Sequence, residues 1–575
     1  MKTIEKRSVT SVLKLAFLAV LFLAFSCSQD TVLNSENLEP ANAKSASKSV
    51  LKTLVKGAAL HGANGIDIGP DGNLYVASVN GQEIVVMNKN NGKIIKRFGP
   101  ESGVLGPDDL VFSPDGSSLY WTDLLTGFVG RMTPDGQQLG YQFVAPGVNP
   151  ITFSEDGSRL FVALDFLGDG LYELDPDLIE PPRPIIISTE ANPFPLGFFN
   201  SFEFRDGRLY GPLFAAGLVI SVDVGEPGDP VSTDPFGDGI AQLVATGFEN
   251  PAAVKFGPDG MLTVLDQTGE VWKVNPNGFD DKTLFTTLQP GLDNMVFDSD
   301  GTLYMTNNDQ GWVAEVLPSG EARTISKGGM ILPQGLAVIG GSVYEADLFS
   351  LRQFNGRSGQ QENSYKGSLV PVPGTPSLIL PMNISADGDN LVVSSWFSGA
   401  VQVWNPQDGV LEDYPNVITP IDAVRVNGDI VVSDFGQGGL VYASNNAPIA
   451  PLVVASGLAT DGEILWAADW ATGEIWRLDF DSEPTVVASG LENPEGLALD
   501  HEGRLLVVEA GTANRLSRID LSTGEVTNLV DGLELFGPGL GSPPTWGFDG
   551  VAVGPSGKIY VSGAGANVIY RVKSK

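Results

Sequence analysis

Residues 64–78 read Asn64-Gly65-Ile66-Asp67-Ile68-Gly69-Pro70-Asp71-Gly72-Asn73-Leu74-Tyr75-Val76-Ala77-Ser78. The stretch is a short apolar strand, a tight turn, and a second strand opening on Leu-Tyr-Val. Glycine reaches positive φ without a Cβ clash, and the aspartate before it tolerates the same region, so Asp71-Gly72 marks the turn. The turn returns at Asp115-Gly116, Asp156-Gly157, Asp206-Gly207, Asp259-Gly260 and Asp300-Gly301. It continues at Gly340-Gly341, Asp387-Gly388, Asn427-Gly428, Asp461-Gly462, Glu502-Gly503 and Ser556-Gly557. These twelve copies are spaced about 44 residues apart, within the period of propeller repeats.

After each turn come a second strand, a polar bend, a third strand and usually a fourth, as in Leu74–Ala77, Glu83–Val86 and Lys93–Arg97. No long segment beyond residue 50 has helical periodicity. A blade of four strands cannot bury both faces alone, so blades must stack in a ring. Twelve exceed the usual ring of about 4–8. The pattern therefore predicts an all-β fold of two tandem six-bladed β-propellers, at 50–318 and 319–575. Leu51–Gly57 resembles a fourth strand with no blade before it, and the last blade stops after Val568–Val572. The expectation is that Leu51–Lys56 completes the blade at about 290–317 and Ala322–Ser326 the blade at 547–573. The alternatives are one twelve-bladed ring, or a split ring holding both termini with the other inserted.

The start of the chain is different. Lys2, Lys6, Arg7 and Lys14 precede an apolar run of 11 residues, Leu15 to Phe25. A spanning helix needs about 20, so residues 1–27 read as a signal peptide. The run ends at Ala24-Phe25-Ser26-Cys27, and Cys27 is the only cysteine. The arrangement resembles a bacterial lipoprotein signal, which implies lipidation of Cys27 and a place in the cell envelope, on the periplasmic or surface face of the outer membrane. No intrachain disulfide can form, so packing alone holds the fold. Residues 28–49 lack apolar periodicity and suit a flexible tether.

Formal charge is −35. Residues 1–27 contribute +3 (four basic residues, one Glu), which leaves −38 on the remainder. Such a surface repels nucleic acid and anionic headgroups, so contact with membrane is expected only through the lipid anchor.

Aligned on their turns, the copies share a column that opens each innermost strand. It reads Asn64, Asp108, Asn149, Asn200, Ala252 and Asp293, then Gln334, Leu380, Asp422, Ser456, Glu495 and Asp549. Innermost strands line a propeller's channel, so these side chains should ring one mouth of it. Five of the first six are amides or carboxylates, the hard oxygen donors that Ca²⁺ or another divalent cation takes. Asp422, Glu495 and Asp549 form a sparser set in the second ring. The bland reading is that each Asn or Asp caps its own bend.

At this column the segments Asn64-Gly65-Ile66 through Asp71-Gly72, and Asp549-Gly550-Val551 through Gly557, resemble repeats of the SMP-30/gluconolactonase/LRE-like family. The resemblance implies six-bladed propellers with a divalent cation held by Glu, Asn and Asp at strand starts, and in lactonase members the hydrolysis of sugar lactones. Asn64 and Asp108 resemble the family's Asn and Asp ligands. The Gly-Glu-Gly-Pro segment that supplies its glutamate is missing, and Glu495 is the only glutamate in the column. Tyr120-Trp121-Thr122-Asp123 also resembles the YWTD repeat of receptor propellers.

Of two histidines only one could reach a channel mouth, and histidine-dependent propeller enzymes generally use more than one, so neither a triad nor a His-rich metal site is expected. His61 lies near Asn64, and His501 lies in a turn on the opposite face. In the second ring, Trp396-Phe397, Asp434-Phe435 and Asp469-Trp470 occupy one bend in consecutive blades, and Trp546 precedes Asp549. Trp396, Phe435, Trp470 and Trp546 could stack on a sugar or anchor a partner, or simply pack between blades. The reading is an envelope lipoprotein whose loop face and polar channel bind a carbohydrate or an envelope protein. The alternative is a metal-dependent hydrolase of the lactonase kind.

Overall fold

The computed structural model describes residues 50–368, 376–537 and 543–573. The signal at 1–27, Cys27 and the tether at 28–49 lie outside the described residues. Within them the protein is all-β: twelve antiparallel sheets of four strands each. The turns form as the sequence implies. Gly72 takes φ +75° and Asp71 Oδ1 accepts the Asn73 amide at 3.1 Å. Asp115 and Asp156 repeat this toward the amides of Ser117 and Ser158 at 2.9 and 3.0 Å.

Alternate side chains of one strand go to opposite faces of a blade. From Leu74–Ser78, Leu74 and Val76 pack with Tyr304 and Val313, whereas Tyr75 and Ala77 pack with Leu110 and Trp121. Residues 58–329 form one compact unit and residues 50–57 with 330 onward the other. In each unit six innermost strands touch in turn and the sixth returns to the first. The protein is thus a pair of six-bladed propellers.

The way the rings close corrects the strand assignment and the boundary at 318/319. Val50–Lys56 pairs with Val568–Lys573, from Val50 opposite Lys573 to Lys56 opposite Val568. It completes the last blade of the second ring, and Val55 packs there with Ile569 and Phe354. Ala322–Ser326 instead pairs with Val313–Val316 of its own blade. The Gly320 amide bonds back to the Leu317 carbonyl at 2.8 Å, so the chain reverses locally and completes the blade at little loop-closure cost. In chain order the first ring, 58–329, is an insertion in the second, as in the split-ring alternative.

The column also shifts in two blades of the second ring. Asn64 and Gln334 donate their amides to Ala77 and Ala346, and Met382 makes the matching bond to Ser394, so Met382 and not Leu380 opens its strand. In that blade Asp387 pairs directly with Asn390, whereas Ile68 pairs with Leu74 across a longer turn. The tighter hairpin displaces the register by two residues. Asp422 lies one step deeper, in the place Asp109 holds in the first ring. Each donates its amide to the opposing hydroxyl, Ser433 or Thr122.

Candidate site at the mouth of the first ring

A bulge builds this site. Pro107 opposes Asp123 and Leu110 opposes Trp121, so Asp108 and Asp109 together face Thr122 alone. Two residues against one re-aim both side chains off the sheet. The Thr122 hydroxyl takes the Asp109 amide at 3.1 Å and donates to the Asn149 carbonyl of the next blade at 2.6 Å. Thr306 does the same between Asn294 and Asn64.

Of the column residues of this ring, Asn149 and Asn200 meet directly. Asn149 Nδ2 lies 3.4 Å from Asn200 Oδ1 and 3.5 Å from Asp165 Oδ2. Asn200 Oδ1 also accepts the Ser201 amide, and Asn64 Oδ1 accepts the Val79 amide at 3.3 Å. Asp108 and Asp293 receive no hydrogen-bond donor among the described residues. Burial pushes Asp108 up to about 7, helped by the charge of Asp109. Burial, then the charges of Asp108, Asp109 and Asp309, hold Asp293 well above the usual carboxylate range.

Asp165 joins this group although the column does not contain it. It follows the second strand of the third blade, Leu160–Leu164, and is wholly buried with Oδ1 unpartnered. Burial and the charges of Asp169 and Asp108 push it far up. A carboxylate directly after an apolar strand was the sequence signal for it. Asp169 caps the loop amides of Leu196 and Gly197 through Oδ2, and its Oδ1, like that of Asp165, is buried without a partner.

Below the mouth a polar plug fills the channel. Asn294 Nδ2 donates to Asp109 Oδ1 at 3.0 Å, and Ser201 Oγ donates to Asn294 Oδ1 at 3.0 Å, which joins three alternate blades. Gly65 permits this: a Cβ there would stand 2.5 Å from Asp109 Oδ1. Beneath the plug burial raises Asp67, Asp109 and Glu203, and the positive charge of Lys255 offsets part of that rise. The first ring is therefore a cup with its cationic group under the floor.

The second ring is arranged otherwise. Asp549 accepts the amides of Phe536 and Ala564 at 3.0 and 2.8 Å. Glu495 accepts the Asp549 amide at 2.7 Å and the Trp470 indole at 3.4 Å. Asp422 takes the amides of Ala423 and Leu458, both at 2.8 Å. All three carboxylates serve as backbone caps. Asp123, Asp434 and Asp469 cap bends in the same way.

The aromatic arc is not one surface. Trp396 is 3% exposed and stands edge-on to Trp546 at 5.6 Å, whereas Phe435, Trp470 and Trp546 are half-buried. His501 lies beside Gly557 among the turns, away from Glu495 and Asp549.

Among the described residues, no three His, Cys, Asp or Glu side chains converge closely enough to hold a metal by themselves, and no helix is long and apolar enough to cross a membrane. An ion at the first mouth would thus need amide oxygens and water as well, a mixture that Ca²⁺ accepts. No family model and no curated protein matches the chain. One solved structure that resembles it is the extracellular domain of a protein put forward as a one component system of B. thetaiotaomicron. The match has 13% identity and a TM-score of 0.30, and covers 89% of this chain and 75% of that one. The sheets themselves define the class: a two-ring β-propeller protein.

Proposed function

We propose that this is an exported, lipid-anchored binding protein whose first ring holds a divalent cation at its mouth, Ca²⁺ by its donor set, and presents it to a carbohydrate or protein ligand. One contrast carries the reading. Asp108, Asp293 and the Oδ1 atom of Asp165 accept no hydrogen bond among the described residues and feel one another's charge, while the second ring's column carboxylates Asp422, Glu495 and Asp549 are each capped by backbone amides. Like charges gathered in a site of low dielectric repel strongly unless protonated or neutralised by a cation. Asn149 and Asn200 supply neutral oxygens beside them, and Cys27 gives the anchor.

A ligand that binds only the folded state raises its melting temperature. Free calcium should therefore raise that of the first ring. Asp108→Ala combined with Asp293→Ala should abolish the shift, and Glu495→Gln should leave it intact. A calcium shift that survives the double change would place the cation elsewhere.

A further inference from the structure

On the face opposite its mouth, the second ring brings turns of two neighbouring blades together. Gly340-Gly341 and the hairpin at 356–360 belong to the blade that opens at Leu336, and 554–558 to the last blade. The Tyr560 hydroxyl donates to the Gly356 carbonyl at 2.8 Å, and Arg571 Nη1 to the Arg357 carbonyl at 3.1 Å. Gly359, at φ +77°, lets the hairpin lean on the closing strand, since a Cβ there would stand 2.2 Å from the Leu54 carbonyl oxygen. Between the turns lies an open crevice of about 380 Å³, lined by Ser342, Asn355, Arg357, Ser556, Lys558 and the turn glycines, with no carboxylate in its walls.

Cations collect here. Arg357 and Lys558 line the crevice. Arg571 stands opposite Tyr560 and Lys52, and Lys573 follows two residues on, so alternation puts them on one side of the blade. None of the five makes an ion pair among the described residues, and Arg571 Nε is buried without a partner. In a chain of 69 acidic and 34 basic residues this is unusual. Elsewhere Arg159 holds Glu173 and Arg515 holds Glu509. Acids in the turns of the flanking blades are likewise taken, Asp500 and Glu502 by Arg504 and Asp387 by Arg425. Glu362 accepts bonds from Ser342, Gln353 and Asn355 of its own blade and pairs with no cation.

Uncompensated like charges repel, and an anion seated among them removes that cost. From this we infer that the crevice is a binding site for a phosphate group. A carboxylate brings one charge and would leave the cations in surplus. A phosphate brings nearly two near neutral pH and suits the guanidinium fork of Arg357. At about 30 Å³ per water the space equals roughly a dozen waters, so it takes the phosphate with part of the molecule that carries it. The chain's overall negative charge does not forbid this, because salt screens distant charges beyond about 8 Å and the nearest groups govern. The site stands whether or not the first ring binds a cation.

Inorganic phosphate and glycerol phosphate, titrated into the purified protein at constant ionic strength, should each raise the melting temperature of the second ring. Arg357→Ala combined with Lys558→Ala should abolish the shift. Lys558→Gln alone should weaken binding about tenfold, the worth of one charge-assisted bond. Arg518→Ala, which removes another unpaired arginine outside the crevice, should change nothing. Sedimentation with phosphatidylcholine vesicles, with and without phosphatidylglycerol, tells the sources of phosphate apart. A gain from phosphatidylglycerol that the double variant loses assigns it to a lipid headgroup, and no gain assigns it to a soluble ester. Failure of both soluble phosphates to bind the unaltered protein, or binding that survives the double change, would overturn the inference.

Discussion

The Thr306 hydroxyl donates to the Asn64 carbonyl at 2.6 Å across 242 residues of chain, and so joins the last blade of the first ring to its first. The same oxygen accepts the Asn294 amide at 3.0 Å. This ring has no strand borrowed from elsewhere to clasp it, and its closure rests on such bonds and on the packing of Val76 against Tyr304 and Val313.

Thr306→Val keeps the shape and strands two buried backbone groups. Each such group costs about 1–3 kcal/mol, so the first ring should lose about 2–4 kcal/mol in denaturant unfolding, and Thr306→Ser should restore it. A loss below about 0.5 kcal/mol, the scale of ordinary surface changes, would remove the hydroxyl from the closure.

The second ring depends on its clasp. Removing residues 50–57 takes away the strand that covers Val568–Lys573 and the Val55 contact with Ile569. Calorimetry should show the second ring's transition lowered and the first ring's unchanged. The opposite pattern would return the segment to the first ring.

Stability should fall with rising pH. Burial raises Asp108 and Asp169 to about 7 and Asp109 to about 6, and it holds Asp165 and Asp293 well above the usual carboxylate range. Folding therefore favours their protonated forms, which an unfolded aspartate loses near 3.9. The benefit is complete below that value and disappears as pH passes through about 6 to 7. The melting temperature should be lower at pH 8 than at pH 5, and Asp108→Asn should flatten the slope. A rise in stability from pH 5 to pH 8 would mean these carboxylates are not crowded as described.

Trp396 and Trp470 separate packing from recognition. Trp396 is buried against Trp546 and Phe397, so Trp396→Ala should cost about 3–5 kcal/mol. Trp470 is half-buried and gives one long bond to Glu495, so Trp470→Ala should cost well under that. Equal losses would make both packing residues.

The blades were legible because an Asp-Gly turn is a local signal, fixed by φ and by one side-chain bond. Partnership of the outermost strands was not. Leu51–Lys56 and Ala322–Ser326 are solvent-facing edges with similar patterns, and only the hairpin at Gly320 decides between them. The column Asn64, Asp108, Asn149, Asn200 and Asp293 could be drawn because their turns are spaced alike, and of these Asn149 and Asn200 meet. Leu380 was misplaced where the hairpin at Asp387 is tighter. Asp165 comes from a different strand, and a column drawn along one strand cannot contain it. Nor could a column tell the donor-free Asp108 from the capped Asp549, since that difference comes from the amides of Phe536 and Ala564.

Calorimetric titration of calcium into the purified protein at pH 8, beside Asp165→Asn, bears on the first ring's mouth with least intervening inference. Asp165 carries an unpartnered oxygen beside Asn149, and the substitution removes its charge with almost no change of shape. One ion per chain should bind the unaltered protein, and that site should be lost or severely weakened in the variant. No binding at all, or a site that Asp165→Asn leaves untouched, would contradict a cation held at this mouth.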